Sequence, residues 1–245
     1  GIDAYGKMFV AAFDTVDAPE DVTIVEIGNA LSAFITSEWQ SFDSPYDQYL
    51  AGDTTALTPV QTRGMELFFG SVGCADCHDG PLLSDQGFHA LGLPAFGPGR
   101  TRKFDPMPRD LGRMGKSNNL ADAYRFRTPM LRNVALTGPY GHNGAYPTLE
   151  RMVRPNLDAK TDMAEWTKND AGLPEVPWLA AADFAIQEDR LEMDRQARAR
   201  DLRPQPIADA DVDALVAFLN ALTGETAQTR PLGRPETVPS GLPVD

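Results

Sequence analysis

Apolar side chains recur every three or four residues along several stretches of the chain, which is the spacing of one face of an α-helix. The pattern predicts a helix over residues 3–13 and a long one over 22–42, whose apolar positions we expect to pack into a core. Thr58, followed by a proline, predicts the start of another helix. A last helix is expected to be capped by Asp209 and to end at Gly224. No stretch alternates like a strand, so the sequence predicts an all-α fold with little or no strand.

Several other segments lack this periodicity. Residues 44–53 are expected to form a loop or short turn, and the glycine- and proline-rich residues 81–120 an extended loop. Residues 225–245 are expected to be an extended tail.

The segment between the last two predicted helices carries further signals. Thr148 is expected to begin a short helix that Pro155 ends. Residues 157–206 are interpreted as an insertion, with a charged helix over about 183–200 that we expect to be a solvated face.

The formal net charge of −13 makes the chain strongly acidic. Binding to nucleic acid requires a basic surface, so nucleic acid is excluded as the expected partner. An acidic surface suits a basic protein partner. A surface whose charges are merely solvated explains the net charge equally well. No apolar run approaches the length of a membrane-spanning helix, so no span is predicted.

The most specific signal is a Cys-x-x-Cys-His motif made of Cys74, Cys77 and His78, which contains both cysteines of the chain. This is the attachment signature of a c-type haem, in which the two thiols bond to the porphyrin and the histidine binds iron as proximal ligand. A disulfide would leave His78 unexplained, a thioredoxin-like pair needs a βαβ context, and a zinc site needs more ligands nearby. Because haem c is attached outside energy-transducing membranes, we expect a periplasmic protein.

A haem would also account for the long loop over residues 81–120. A structureless segment of that length is unusual inside a compact domain. Here it could coat the porphyrin, which supplies apolar surface that the loop lacks. One or two of the basic residues in the loop could pair with the haem propionates: Arg100, Arg102, Lys103, Arg109 and Arg113.

Further motifs resemble one family, the bacterial di-haem cytochrome c peroxidases and their relative MauG. The resemblance covers residues 1 to about 224 outside the insertion, and corresponds to the C-terminal half of such proteins. The matching motifs are Gly-Met-Glu-Leu-Phe at 64–68, Ser-Asp-Gln-Gly-Phe-His at 84–89, Asp-Leu-Gly-Arg at 110–113, the run from Phe126 to Gly144, Thr-Leu-Glu at 148–150, and the closing run from Val212 to Gly224.

The resemblance implies a division of the enzyme into two haem domains. His78 would be the proximal ligand of the electron-transfer haem, in a cytochrome c-type domain over residues 46–224. Hydrogen peroxide would react at a second haem in an N-terminal domain, expected either as a separate polypeptide or as a domain cleaved off. Residues 1–45 resemble inter-domain helices that would pack against it.

The resemblance also suggests further site residues. The backbone carbonyls of Thr137 and Pro139 would bind a calcium ion between the two domains, since carbonyl oxygens suit that ion. His142 matches a family histidine near the haem. For both His142 and His89 the competing interpretation, which we favour, is a structural, hydrogen-bonded histidine.

The sixth haem ligand is where this sequence departs from the family, which has a Met or a Tyr at that position. The family spacing, counted from Thr137, ends on Asn156, a poor iron ligand. Met152 lies one helical turn earlier and would share its face. Met163 and Met130 are alternatives, as is a site that is vacant or holds water.

Two functions follow from these observations. In the first, the chain is the electron-transfer half of a di-haem peroxidase, passing electrons from a cytochrome c or a cupredoxin to the peroxidatic haem. In a MauG-like variant the electrons would come from an oxidised protein substrate. In the second, the chain is a mono-haem electron carrier without catalysis, because no acid/base pair for cleaving peroxide is evident near the motif.

Overall fold

The computed structural model describes residues 2–38, 40–97, 109–172, 184–202, 205, 207–229 and 235–244. Its helices are α1 Asp3–Ala12, α2 Ile24–Glu38, α3 Pro45–Leu50, α4 Pro59–Phe69, α5 Met114–Ser117, α6 Leu149–Glu165, α7 Arg190–Ala199, α8 Asp209–Asn220 and α9 Glu225–Thr229. Strands β1 Phe88–His89 and β2 Phe126–Arg127 pair antiparallel. The prediction of an all-α fold with little strand is confirmed.

The chain divides into two compact units, one made of residues 1–42 and 225–245 and the other of residues 43–224. The first unit contains α1, α2 and α9, so the segment expected to be an extended tail opens with a short helix. Helix α2 contains no buried residue, and Ile24 and Leu31 are 78% and 59% exposed. The expectation that its apolar face packs into a core is wrong within the described chain, because the described helices of this unit leave that face uncovered.

The second unit is built around the crossing of α4 and α8. Helix α4 begins after Thr58, as predicted, with the Thr58 side chain accepting a hydrogen bond from the Gln61 amide. At the crossing the two backbones meet at Gly64, where a Cβ atom would overlap the Ala214 carbonyl and lie 2.8 Å from the Phe218 Cβ. Phe218 is completely buried and stacks edge-on against Tyr46, with ring centroids 5.3 Å apart. Helix α4 leads from this core directly into the cysteine motif.

Helix α3 occupies a segment for which we expected a loop or short turn. Ser44 caps it, accepting from the Asp47 amide, while the Asp47 carboxylate accepts from the Ser44 amide. Pro45 occupies the first helical position, where its missing N–H is not needed. The reciprocal cap explains why six residues form a helix there.

Helix α6 corrects the prediction that Pro155 ends a short helix. The helix continues through Pro155 and is interrupted at Asp158, where φ is −146° and ψ is 76°, and a second helical stretch follows to Glu165. The Pro155 ring is fully buried, so packing offsets the hydrogen bond that proline removes. The kink therefore lies three residues beyond Pro155, at the start of the segment interpreted as an insertion.

Two predictions for the later helices also need correction. Asp189 caps α7 by accepting from the Leu191 and Glu192 amides, and two polar residues of α7, Glu192 and Gln196, are buried. The expectation of a wholly solvated face is therefore wrong. Helix α8 has Ala208 at its cap position, with Asp209 in its first turn instead.

Some expectations fall on residues that the structure does not describe. Arg100, Arg102 and Lys103 lie outside the described residues. Among the helices that are described, none combines the length and the apolar character needed to cross a membrane.

Candidate functional site

The Cys-x-x-Cys-His motif folds into a single tight turn that follows α4. Gly73 adopts a left-handed conformation, with φ of 75°, and residues Cys74–Asp76 form a short 3-10 helix. The His78 amide donates to the Cys74 carbonyl over 3.0 Å. Because positions i, i+3 and i+4 of a helical turn share one side, Cys74, Cys77 and His78 can act on a single ligand. Both thiols are free.

The next loop fixes the orientation of the His78 ring. The His78 Nδ1 atom lies 2.9 Å from the Leu83 carbonyl oxygen, to which it donates when protonated. The loop is held by the Leu83 amide, which donates to the Gly80 carbonyl, and by the Asp85 amide, which donates to the Cys77 carbonyl. A carbonyl partner on Nδ1 selects the tautomer whose Nε2 lone pair is available to a metal. Burial also lowers the pKa of His78, which favours the neutral imidazole that binds metal.

All three motif residues line a cavity of about 420 Å³ in the unit made of residues 43–224. That volume lies in the range of cofactor pockets. The cavity walls come from α4, α6, α7, α8 and the long loop between α4 and α6. They are largely apolar: Phe68, Leu93, Leu131, Leu149, Val153, Leu215 and Leu219. An apolar cavity with two free thiols and an oriented imidazole on its wall fits a covalently attached porphyrin.

Three of the four residues considered as a sixth haem ligand lie on α6, and the fourth, Met130, precedes it. Met152 and Asn156 both line the cavity, one helical turn apart, and the Asn156 side chain donates to the Met152 carbonyl over 2.8 Å. Met130 lines the cavity as well but is 49% exposed. Met163 is not among the described residues that line it. The fold thus brings Met152 to the cavity from the expected helix face.

The two histidines outside the motif also line the cavity. The His142 side chain is 18% exposed, stacks on the Phe126 ring, and lies 3.9 Å from the Asp110 carboxylate. Burial lowers its pKa. His89 Nε2 lies 2.7 Å from the Asp85 carboxylate, which gives this side chain a hydrogen-bonding partner within the fold.

The two residues proposed for calcium line the same cavity and are exposed. The Thr137 hydroxyl donates to the Val134 carbonyl over 3.0 Å, a hydrogen bond that does not involve the backbone carbonyl of Thr137. Pro139 follows two residues later on the same exposed loop.

A buried cluster on α7 was missed by the sequence analysis. The Glu192 carboxylate is fully buried and accepts hydrogen bonds from the Tyr124 hydroxyl at 2.6 Å, Arg109 at 2.8 Å and Arg195 at 3.2 Å. Tyr124 and Arg109 are 68 and 83 residues away along the chain, so no local pattern joins them. The one available signal was the helical spacing of Glu192 and Gln196.

Two basic residues that we considered for the haem propionates have carboxylate partners in the fold. Arg109 pairs with Glu192, and Arg113 pairs with Asp122 over 3.2 Å. The Arg113 guanidinium also lies 4.1 Å from the centre of the Phe88 ring.

Several known proteins are similar to this chain in sequence. A family profile described as di-haem cytochrome c peroxidase matches residues 1–55. The cytochrome-c peroxidase IdrP2 of Pseudomonas sp. (strain SCT) is 29% identical over 237 residues, which cover 90% of this chain and 54% of that protein. The methylamine utilization protein MauG of Methylorubrum extorquens is 31% identical over 154 residues, covering 62% of this chain and 39% of MauG. The chain is therefore similar to di-haem cytochrome c peroxidases and to MauG.

A solved structure is similar to the chain as well. The diheme peroxidase BthA from Burkholderia thailandensis superposes with a TM-score of 0.59 and 27% identity, covering 98% of this chain and 60% of BthA. Haem c is the cofactor that this family implies. The chain spans about half the length of the relatives it matches, at 54% of IdrP2 and 39% of MauG.

Proposed function

We propose that this chain binds one haem c, held by thioether bonds to Cys74 and Cys77 and by His78 as proximal iron ligand. The observation that carries the proposal is the convergence of these three side chains on one apolar cavity, with the Leu83 carbonyl orienting His78. When bound, the haem supplies a one-electron redox centre. The chain itself orients the imidazole and encloses the porphyrin in apolar side chains.

The role proposed for this haem is electron transfer within a di-haem peroxidase. The two cysteines of the chain suffice for one haem c, whereas BthA is a diheme peroxidase and IdrP2 a cytochrome-c peroxidase. A second, peroxidatic haem would then belong to an N-terminal domain or chain of the same enzyme. Reduction of hydrogen peroxide to two waters consumes two electrons and two protons, and this chain would pass the electrons on one at a time.

The electron donor is proposed to be a small protein, either a cytochrome c or a cupredoxin. The net charge of −13 favours a donor with a basic docking surface, because opposite charges speed encounter. In a MauG-like enzyme a protein substrate would take the donor's place. A periplasmic location is part of the same proposal, since haem c is attached in that compartment.

Met152 is proposed as the distal iron ligand. It lines the cavity on α6, and a thioether opposite a histidine raises the reduction potential of a haem. A high potential suits a centre that must accept electrons from a donor protein.

The calcium proposal rests on Thr137 and Pro139. Both lie on an exposed loop at the cavity, and carbonyl oxygens are suitable ligands for the ion. The other ligands would come from the peroxidatic domain.

The apolar face of α2 is proposed to be covered by that N-terminal haem domain. Six of its apolar side chains are exposed in this chain: Ile24, Val25, Ile27, Leu31, Phe34 and Ile35. A helix that exposes this many apolar side chains is typical of an interaction site.

The proposal is tested by counting haems in the native enzyme and measuring peroxide-dependent oxidation of a reduced donor cytochrome. We expect two haems per particle and turnover that a Cys74→Ala, Cys77→Ala double variant abolishes. A particle with one haem and no turnover would instead establish the mono-haem electron carrier.

A further inference from the structure

The helix α7, which lies in the interpreted insertion, places an unsatisfied amide at the cavity. Gln196 is 4% exposed and lines the cavity that holds the cysteine motif. Its Nε2 atom is buried and has no hydrogen-bond partner among the described residues. Buried polar groups are nearly always hydrogen-bonded, so a donor left unpaired at a cofactor cavity points to an acceptor on the cofactor.

The position of Gln196 is fixed by buried contacts on the N-terminal side of α7. Glu192 lies one helical turn before Gln196, and its carboxylate is fully buried. It accepts from Tyr124, which itself lines the cavity, and from Arg109. Since residues four apart in a helix share a face, the contacts of Glu192 also direct Gln196 toward the cavity.

A second set of contacts fixes the segment beyond α7. The Asp201 carboxylate accepts two hydrogen bonds from Arg125, at 2.6 and 2.9 Å, and another from the Ala90 amide at 3.0 Å. The Asp201 amide donates to the Ala90 carbonyl over 2.9 Å. Residues on both sides of Gln196 are therefore bound to the loop that encloses the cavity.

The charges beside Gln196 favour an anionic acceptor. The Glu192 carboxylate is paired with two guanidinium groups, those of Arg109 and Arg195, so the cluster carries an excess of positive charge. The described lining residues include one carboxylate, on Asp110, and it lies beside His142. The anionic acceptors of a haem are its two propionate carboxylates.

We propose that Gln196 Nε2 donates a hydrogen bond to a haem propionate, which makes helix α7 of the insertion part of the cofactor site. This inference rests on the proposed function, because it requires haem c in the cavity. A donor to the propionate disperses its negative charge, which otherwise stabilises the ferric haem. Gln196 therefore raises the reduction potential of the haem.

The test compares variants of the holoenzyme by spectroelectrochemical titration and by the resonance Raman bands of the propionates. Gln196→Met keeps the length of the side chain but has no donor, so we expect a lower potential and shifted propionate bands. Gln196→Lys keeps a donor and adds positive charge, so we expect a higher potential. Leu191→Lys adds the same charge at an exposed position of α7, and solvent should screen its effect.

Haem content, measured for every variant from the pyridine haemochrome spectrum, separates the two possible failures. A wild-type enzyme without covalent haem would contradict the proposed function. Normal haem content with potentials and propionate bands unchanged in both Gln196 variants would overturn the role of Gln196 alone. If Gln196→Met does not accumulate, Gln196→Lys still decides, because a potential no higher than that of Leu191→Lys contradicts the proposal.

Discussion

Tyr146 and Asp162 form a buried pair whose energetics can be measured directly. Tyr146 is completely buried, Asp162 is 8% exposed, and the tyrosine hydroxyl donates to the carboxylate. Tyr146→Phe would leave a buried carboxylate without this partner, so we expect a loss of about 1–3 kcal/mol in the free energy of unfolding. Urea denaturation, monitored by circular dichroism, measures the free energy of unfolding. A loss no larger than that of an exposed substitution would contradict this account of the pair.

The same pair predicts a dependence of stability on pH. Burial raises the pKa of Asp162, although the hydrogen bond from Tyr146 acts in the opposite direction. A carboxyl group whose pKa is raised in the folded state lowers the free energy of unfolding when it is ionised. This loss of stability disappears as the pH falls from the folded-state pKa toward the unfolded value of about 3.9.

Asp162→Asn is the matched variant, because it keeps an acceptor for Tyr146 and removes the charge. Wild type should therefore gain stability relative to Asp162→Asn as the pH is lowered through this window. A difference between the two proteins that stays constant with pH would show that Asp162 does not titrate as stated.

Met152 is the residue on which the distal side of the haem depends. Removing a thioether ligand changes the low-spin signal of the ferric haem and lowers its potential. We expect both effects in Met152→Ala, measured by low-temperature EPR and redox titration. Met163→Ala is the matched control, because Met163 lies on the same helix but is not among the described cavity-lining residues. An unchanged spectrum in Met152→Ala rules this ligand out.

At the scale of residues, the sequence predicted what is local. Cys74, Cys77 and His78 lie within one turn, so their spacing alone brought them together. The burial of Glu192 could not be predicted, since it depends on Tyr124 and Arg109, which are distant in the chain. The Leu83 carbonyl that orients His78 carries no side-chain signal at all.

At the scale of helices, the crossing of α4 and α8 depends on the absence of a side chain at Gly64. An alanine there would overlap the Ala214 backbone, which cannot move as a flexible side chain can. We expect Gly64→Ala to cost about 1–3 kcal/mol of stability, or more. Gly115→Ala is the control, since a Cβ at Gly115 meets nothing within 4 Å. Thermal unfolding of both variants compares them, and equal midpoints would contradict the close crossing.

The helices also show why some boundaries were predictable and others were not. The Thr58-Pro59 start of α4 is a local signal and was predicted correctly. The capping residues Ser44 and Asp47 of α3 are equally local, but no apolar period accompanied them, so a loop was expected. Pro155 failed as a stop signal because tertiary packing around its buried ring outweighs its local preference.

At the scale of the whole molecule, a substitution on the exposed face of α2 should affect assembly but not the stability of this chain. Leu31→Ser should leave the unfolding of this chain nearly unchanged, because Leu31 is already exposed. In the complete enzyme it should weaken the association with the proposed peroxidatic domain. Leu191→Ser, an exposed leucine on α7, is the control. Analytical ultracentrifugation measures the association of both variants with that domain. Equal association of the two variants would contradict the proposed role of α2.

The central claim is that Cys74, Cys77 and His78 attach one haem c in the described cavity. Intact-mass spectrometry of the denatured chain, purified from a host that attaches haem c, tests it most directly. We predict a mass increase of one haem that persists on denaturation and is absent from the Cys74→Ala, Cys77→Ala variant. A wild-type chain with the mass of the bare polypeptide would contradict the claim.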